Sequence, residues 1–483
     1  MYTEKLTPAA INAVKAIDEL NSKNITDYAL YEKGIDEVSE QLKRDVINAQ
    51  SDYDPSLPTF YVSNSGNDEN DGKSPESAWK TLDKINDAGS TPEHCNILFE
   101  RGGVWRGCIN PPHNYITYSA YGKGKKPCIY GSWRNYADPA LWQKTEYPHV
   151  WYTDACGKNI GICAINHSDE YGRYDELVAF RCVQGVHGFE GPQNFTRNME
   201  YWSEVEKPGF YLRCEYGNPG EVFESIELGE RVNLITGADH IKIDNLCVKY
   251  SGAHGVGIGG KTDYTVQNCI FCYLGGSILT GFNGGNKVGY GNAVQVYGEC
   301  FGYYVNGNWI YQIYDTAITH QFSGTRSDKP NHMKDVEYIG NLCEYCHWSI
   351  EYYNPASVTV PETPRTVKNV NVSHNVLRMG CYGWGSRGRE DNGALFNSFS
   401  MTPETENFEA HSNIMDRCLG KMVRLTVGGD EKLISSDNTF IQQEGRAFGW
   451  CYGQNYAFTR ENAEKYANEL FHDKSAKVIF SES

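Results

Sequence analysis

The sequence predicts an all-β chain whose central part winds as a parallel β-helix. Two observations carry that expectation. The first is self-similarity. The stretch 303–322, YYVNGNWIYQIYDTAITHQF, runs from an Asn through apolar alternation to a polar cluster of Asp315, Thr319, His320 and Gln321. The same plan recurs upstream in IKIDNLCVKYSGAHGVGIGG (241–260) and YTVQNCIFCYLGGSILTG (264–281). It recurs downstream in VEYIGNLCEYCHWSIEYYN (336–354), VNVSHNVLRMGCYGWGS (370–386) and FEAHSNIMDRCLGKMVRLTV (408–427), with a stub ISSDNTFIQQ at 434–443. A period of roughly 20 to 40 residues marks stacked coils, each unable to bury its apolar face alone. The second observation is an Asn at a fixed place in each repeat: Asn245, Asn268, Asn308, Asn341, Asn375, Asn413 and Asn438. Asn tolerates the left-handed backbone of a tight bend, so stacked bends predict an Asn ladder. A propeller is the main rival. It needs four antiparallel strands per repeat, and these repeats are too short and lack regular two-residue hairpin signals.

The elements follow in chain order. Residues 1–58 form a helical segment and linker. TPAAINAVKAIDELNSK has Pro early and apolar residues at helical spacing, and YEKGIDEVSEQLKRDVINAQ reads as a second amphipathic helix. Their apolar faces pack on the coils, as a cap over the first one, or on another subunit. A homo-oligomer through them therefore stays open. Residues 59–445 are the coils, with a short helix at SAWKTLDKINDA closing the N-terminal end. Between about 131 and 235 the rhythm breaks, which reads as an inserted β-rich subdomain whose long loops wall a site. The Gly-rich TGFNGGNKVGYGN (280–292) lacks the GK[ST] ending of a phosphate loop and reads as a lip over a groove. Residues 446–483 leave the ladder and cap its C-terminal end, covering a sheet edge.

Composition narrows the class. The chain has 483 residues, 40% hydrophobic and 22% charged, with 34 Tyr and 10 Trp. Aromatic rings suit the C–H faces of sugars, although most fill core and rim. The net charge of −17 disfavours nucleic acid and anionic membranes, and weighs against a highly anionic polymer unless a local basic groove overrides it. The N-terminus MYTEKLTPAAINAVKAIDEL has no basic start followed by an apolar run, and no stretch of about 18 apolar residues exists to span a membrane. The expectation is a cytoplasmic protein with reduced thiols. CIFC (269–272) and CEYC (343–346) have metal-binding spacing, but Cys247, Cys269 and Cys343 follow the ladder Asn closely and read as small apolar rungs. No nucleotide motif, serine elbow or HExxH is present. No cofactor and no metal are expected.

Several stretches also resemble the right-handed parallel β-helix, pectin-lyase-like superfamily of carbohydrate-active enzymes. FYVSNSGNDENDGKSPESAWKTLDKI (60–85) is similar to the opening segment of many bacterial members, and ILFERGGVWRG (97–107) to their first full coil. CYGWGS (381–386), YDTAITHQ (314–321) and FYLRCEYGNPGE (210–221) resemble later coils and the insertion of a glycosidase-type subgroup. The resemblance covers about residues 58 to 450. It implies the fold and a carbohydrate substrate. It leaves the reaction open, since such folds host hydrolases, lyases, epimerases and binding proteins.

Candidate site residues come from strand parity. Aligning coils on inward Val294, Ile318 and Ile350 puts Gln295, Thr319 and Glu351 in one outward column, with Asp315, Gln321 and Tyr353 on the same face. Cleaving a glycosidic bond takes a proton donor and a second carboxylate. Asp315 and Glu351 are the first pair. Their offset along a straight strand is long, and a corner between them shortens it. Glu390 and Asp391, after Trp384, are the next candidates. His320 is an acid/base candidate, with a buried structural role as its rival. Trp348, Tyr353 and Trp384 supply stacking surfaces, and Arg387 a bidentate donor. The leading expectation is a glycoside hydrolase acting on oligosaccharides, exo-acting because no secretion signal is seen. A lyase or uronate epimerase is the second expectation, with Lys421, Arg424, Arg387 and His320 as its basic groups. The third is a non-catalytic carbohydrate-binding β-helix.

Overall fold

The structure is a computed structural model that describes residues 6–167, 171, 177–281, 285, 287–321, 331–353, 365–389, 392–398, 405–425 and 432–482. It is dominated by two large sheets of mostly parallel strands. The larger has sixteen strands. Its path starts at Thr59–Val62 and passes through Val256–Gln267 and Val294–Asn306. There it divides. The first half of Val294–Asn306 pairs with Thr316–Gln321, which leads on to Trp348–Tyr353, Ala394–Ser398 and Lys421–Leu425. The second half pairs with Asn331–Ile339, which leads on to Arg365–Ser373, Thr405–His411 and Leu433–Ser436. The second sheet has ten strands, among them Trp309–Ile313, Leu342–Glu344, Val376–Gly380 and Ile414–Cys418. From residue 294 on, each repeat thus contributes one strand to each of three parallel stacks. The apolar residues between the stacks form one continuous core, from Phe60 to Phe471. Cys269, Cys343 and Cys346 are buried in it, and Cys272 lies in a second cluster beneath the helices.

The Asn ladder is present, but its backbone differs from expectation. Asn308 Nδ2 donates to Asn341 Oδ1 at 3.0 Å, Asn341 to Asn375 at 3.0 Å, Asn375 to Asn413 at 2.9 Å and Asn413 to Asn438 at 3.0 Å. Asn438 donates to Asp473 Oδ2 at 2.8 Å. In these five repeats the left-handed residue is the one before the Asn: Gly307, Gly340, His374, Ser412 and Asp437. The Asn itself is freed to bridge coils. Asn245 and Asn268 do take positive φ, and their side-chain amides donate elsewhere, to Ala49 O and to Asp244.

The N-terminal helices Pro8–Ser22 and Tyr28–Ile47 do not cap the first coil. They lie along the ten-stranded sheet. Arg378 pairs with Asp36 at 2.8 Å, Arg417 with Glu32 at 2.8 Å and Lys43 with Glu344 at 3.4 Å. Ile17, Leu20, Tyr31, Ile35 and Leu42 are buried in the cluster that covers this sheet. Glycine at 307 lets the first helix approach, since a Cβ there would stand 3.0 Å from Ala10 N, on a backbone at φ +63°.

Between 131 and 235 the chain builds two small sheets. One has five strands including Val150–Thr153, Glu200–Ser203 and Phe210–Arg213; the other has three including Ile162–Ile165 and Ile226–Gly229. Tyr136, Trp142, Tyr201, Phe210 and Leu228 form their own core. Past 446 the chain stays in register longer than the sequence suggests. Ala447–Cys451 extends the large sheet and Lys477–Ser481 the ten-stranded one, with the helix Ala463–Glu469 between them.

Candidate active site

The large sheet aligns Val294, Ile318 and Ile350 across three coils and, one residue on, Gln295, Thr319 and Glu351. The alternation that buries the first set turns the second outward. The column continues from Glu351 to Asn397, Arg424 and Trp450. Glu351 is at its centre and is only 7% exposed. Its Oε2 accepts from Thr316 Oγ1 at 3.0 Å, Thr319 Oγ1 at 3.3 Å and Gln321 Nε2 at 3.0 Å, while Oε1 accepts from Asn397 Nδ2 at 3.2 Å.

The bond to Thr316 matters for geometry. Glu351 stands opposite Thr319, yet its carboxyl leans back along the strand to the residue next to Asp315. Asp315 sits in the corner between Trp309–Ile313 and Thr316–Gln321. Its Oδ1 pairs with Arg389 Nη2 at 3.2 Å, and Arg389 Nη1 donates to Tyr314 O at 2.7 Å. Burial first, and the Asp315 charge second, push the Glu351 carboxyl up to about 7, against the pull of its hydrogen bonds from Thr316, Thr319 and Gln321. A carboxyl that keeps its proton near neutrality beside another carboxylate is the electrostatic arrangement that separates an acid from its partner.

The neighbouring coil adds His347. Its Nδ1 lies 2.9 Å from Ser386 Oγ and its Nε2 2.7 Å from Asn392 Oδ1. Asn392, Arg389, Tyr314, Trp384 and Arg387 line a cavity of about 860 Å³ whose opposite wall is the insertion, from Ala179 to Glu200. On the other side of Glu351, the Arg424 guanidinium lies between two rings, 5.7 Å from the centre of Trp348 and 5.4 Å from that of Trp450. Such cation–ring contacts hold Arg424 near enough to feel the Glu351 charge.

The structure brings together Asp315, Glu351, Gln321 and Trp348, with Gln295 one coil away. Gln295 accepts from Asn292, whose Oδ1 in turn accepts from Thr316 N at 2.9 Å. His320 is not among them. It points into the core, 1% exposed, with Nδ1 2.6 Å from Tyr338 Oη and its ring edge-on to Tyr352 at 4.1 Å. Burial pulls its pKa down to about 3, so it stays neutral and away from the groove, contrary to the acid/base expectation. Trp384 reaches the cavity but is held by its own bonds, Nε1 donating to Gln312 O at 2.8 Å, with its ring 5.3 Å from Tyr314. Arg387 donates to Val178 O at 3.0 Å. Tyr353 occupies the register position beside Gln321, and its side chain is outside the described residues, as are Glu390 and Asp391 altogether.

Sequence reasoning missed Thr316, Arg389, His347 and Asn397, and placed Arg424 only in the lyase set. Asn397 had a signal: it follows Phe396 as Glu351 follows Ile350, and the two strands pair in that register. Arg389 had none beyond its place in the SRGRED loop. Among the described residues, no group of three His, Cys, Asp or Glu side chains is arranged to hold a metal ion. Among those residues too, no helix is long and apolar enough to cross a membrane.

No family model matches the chain, and no curated protein matches it. Among solved structures, the chain is similar to the complex of XylC with xylose, at 14% identity and a TM-score of 0.46, over 81% of this chain and 68% of that one. It is similar to a chain described as a glycoside hydrolase, at 10% identity and a TM-score of 0.44, over 82% and 96%. It also matches a GH136 lacto-N-biosidase from Eubacterium ramulus, at 12% identity and a TM-score of 0.38, over 94% and 71%. At these scores the likenesses carry no argument about chemistry.

Proposed function

We propose that the chain is a glycoside hydrolase built on a right-handed parallel β-helix, with Glu351 as the general acid and Asp315 as the second carboxylate. One observation carries the reading: burial and the Asp315 charge keep the Glu351 proton to about pH 7, and Asp315 is held by Arg389, which lines the large cavity. The protonated Glu351 delivers its proton to the glycosidic oxygen as the C–O bond breaks, and the group beyond that oxygen leaves as an alcohol. Asp315 faces the positive charge that develops at the anomeric carbon: it either takes the proton of a water that attacks there, or bonds to that carbon itself, in which case water then cleaves the new bond, giving its proton to Glu351 and releasing the Asp315 carboxylate. Arg389 fixes the Asp315 carboxylate. Thr316, Thr319, Gln321 and Asn397 fix that of Glu351. Tyr314 and Trp384, which line the cavity, offer ring surface for the sugar.

The test is turnover of a panel of plant and host oligosaccharides, read by mass spectrometry, by wild type and by Glu351→Gln. Removing a general acid costs about 10²- to 10⁴-fold in rate. Products heavier than the substrate by one water, lost in the variant, support the hydrolase. Unsaturated uronate products sink it in favour of a lyase. Full activity in Glu351→Gln removes Glu351 from the chemistry.

A further inference from the structure

The cavity beside Asp315 has a charge opposite to that of the protein. The chain carries −17 overall. Yet the described residues lining this cavity include Arg181, Arg197, Lys287, Arg387 and Arg389 and a single carboxylate, Glu200. Two of these cations are matched. Arg389 pairs with Asp315 at 3.2 Å, and Arg197 lies 4.0 Å from Glu200. Glu200 is further occupied by the Thr196 and Arg197 backbone N–H groups at 2.6 and 3.0 Å.

The other three have no carboxylate partner among the described residues. Arg181 is the most informative. It comes from the insertion, in the strand Phe180–Arg181, and reaches across to the coils. Its Nη1 donates to Gly276 O and its Nη2 to Asn159 Oδ1 at 3.1 Å, both neutral acceptors. Its Nε is buried with no partner among the described residues. A guanidinium taken out of water without a counter-charge is costly, and folds keep such groups where a ligand supplies the charge. Arg387 donates to Val178 O, and among the described residues the rest of its fork has no hydrogen-bond partner. Lys287 arrives from the Gly-rich lip, and its Nζ lies beside Gly185 of the insertion. Three separate segments thus deliver unmatched cations to one cavity that also contains Phe180, Tyr314 and Trp384.

We infer that the substrate is an acidic glycan: the cavity takes a sugar unit bearing a carboxylate or a sulfate ester, which Arg181, Lys287 and Arg387 neutralise while the aromatic walls hold its ring. This rests on the cavity being the substrate site of the proposed hydrolase, and it names the substrate class. Guanidinium forks match both oxyanions in a bidentate manner. Arg389, already bound to Asp315, is left to its role at the second carboxylate.

The experiment is calorimetric titration of the intact protein with glucuronate, glucose 6-sulfate and glucose, in wild type, Lys287→Ala, Arg387→Ala and the double variant. Both substituted side chains are exposed, so melting temperatures should stay unchanged, which guards against misfolding. Expected is binding of at least one acidic sugar about tenfold or more tighter than glucose, weakened about threefold by each substitution and about tenfold by both. Raising the salt weakens it further. Which acidic sugar binds separates carboxylate from sulfate. Equal binding of all three sugars overturns the inference. So does an acidic preference undiminished in the double variant, and so does no binding of either acid. Turnover is read separately. A protein that binds glucuronate through these cations but cleaves no glycan loses the hydrolase reading and keeps this one; one that cleaves neutral glycans without acidic preference does the reverse.

Discussion

Replacing Glu351 by Gln should make the protein's stability less dependent on pH. The folded state keeps the Glu351 proton up to about pH 7, whereas the ordinary value is 4.5. The folded chain therefore binds more protons than the unfolded chain between those two values. Its stability contribution is fully present below 4.5 and is lost as pH rises through 7. The gap corresponds to about 3 kcal/mol at 1.36 kcal/mol per pH unit. Part of it comes from the Asp315 charge, which the amide does not feel. Gln also keeps the shape and can still bond Thr316, Thr319 and Asn397, whose hydroxyl and amide groups reorient. The assay is denaturant unfolding of both proteins at pH 5, 6, 7 and 8. The difference in unfolding free energy should shift in favour of the variant by roughly 2 to 3 kcal/mol from pH 5 to 8. In thermal scans this is a relative rise of about 2 to 3 °C for a chain of this length. Parallel pH profiles would refute the reasoning, because they would mean that Glu351 ionises normally and has no proton to give at neutral pH.

Other substitutions probe the frame. Asn375→Ala takes the acceptor from Asn341 N–H and one bond each from Asn341 Nδ2, Tyr338 O and Asn413 Oδ1; we expect a loss of about 2 to 4 kcal/mol in denaturant unfolding. Gly307→Ala meets both a left-handed backbone and the first helix, and should cost about 1 to 2 kcal/mol. Early amide exchange in residues 8–22 would report the helix lifting off. His320→Ala removes a buried ring and the partner of Tyr338, and should cost about 2 to 4 kcal/mol. The folded variant should turn over substrate with an unchanged pH profile, and an altered profile would restore His320 to the chemistry.

The parts of the fold visible in the sequence are those fixed by strict periodicity. Parity alone put Gln295, Thr319 and Glu351 in one column, because successive side chains of a strand alternate faces. The ladder Asn residues were legible for the same reason, each repeat requiring the same polar plug at the same bend. The left-handed residue is the Asn itself at Asn245 and Asn268 but the residue before it in the later five repeats, since Gly307 and Gly340 lie beside Asn308 and Asn341 and either could take the turn. The approach of Glu351 to Asp315 was not legible. It depends on a corner and a side-chain lean, and neither has a periodic signature. Arg389 and the cations of the insertion come from segments outside the repeat, so only the folded chain could place them. The helices read correctly as amphipathic, but a hydrophobic face does not say which surface it will meet.

The ladder has a polarity. Every amide from Asn308 to Asn413 gives its hydrogen forward and receives one from behind, so a further coil is always accommodated by another Asn. Asp473 ends the row as a pure acceptor, taking from both the N–H and the Nδ2 of Asn438 and having nothing to pass on. It acts as a chain terminator. Duplicating or deleting an internal repeat preserves this row of hydrogen bonds, because each Asn presents the same donor and acceptor to its neighbours. An Asn in place of Asp473 would turn one of its two buried acceptors into a donor, and would lose either the pair of bonds from Asn438 or those from the Ser475 N–H and hydroxyl.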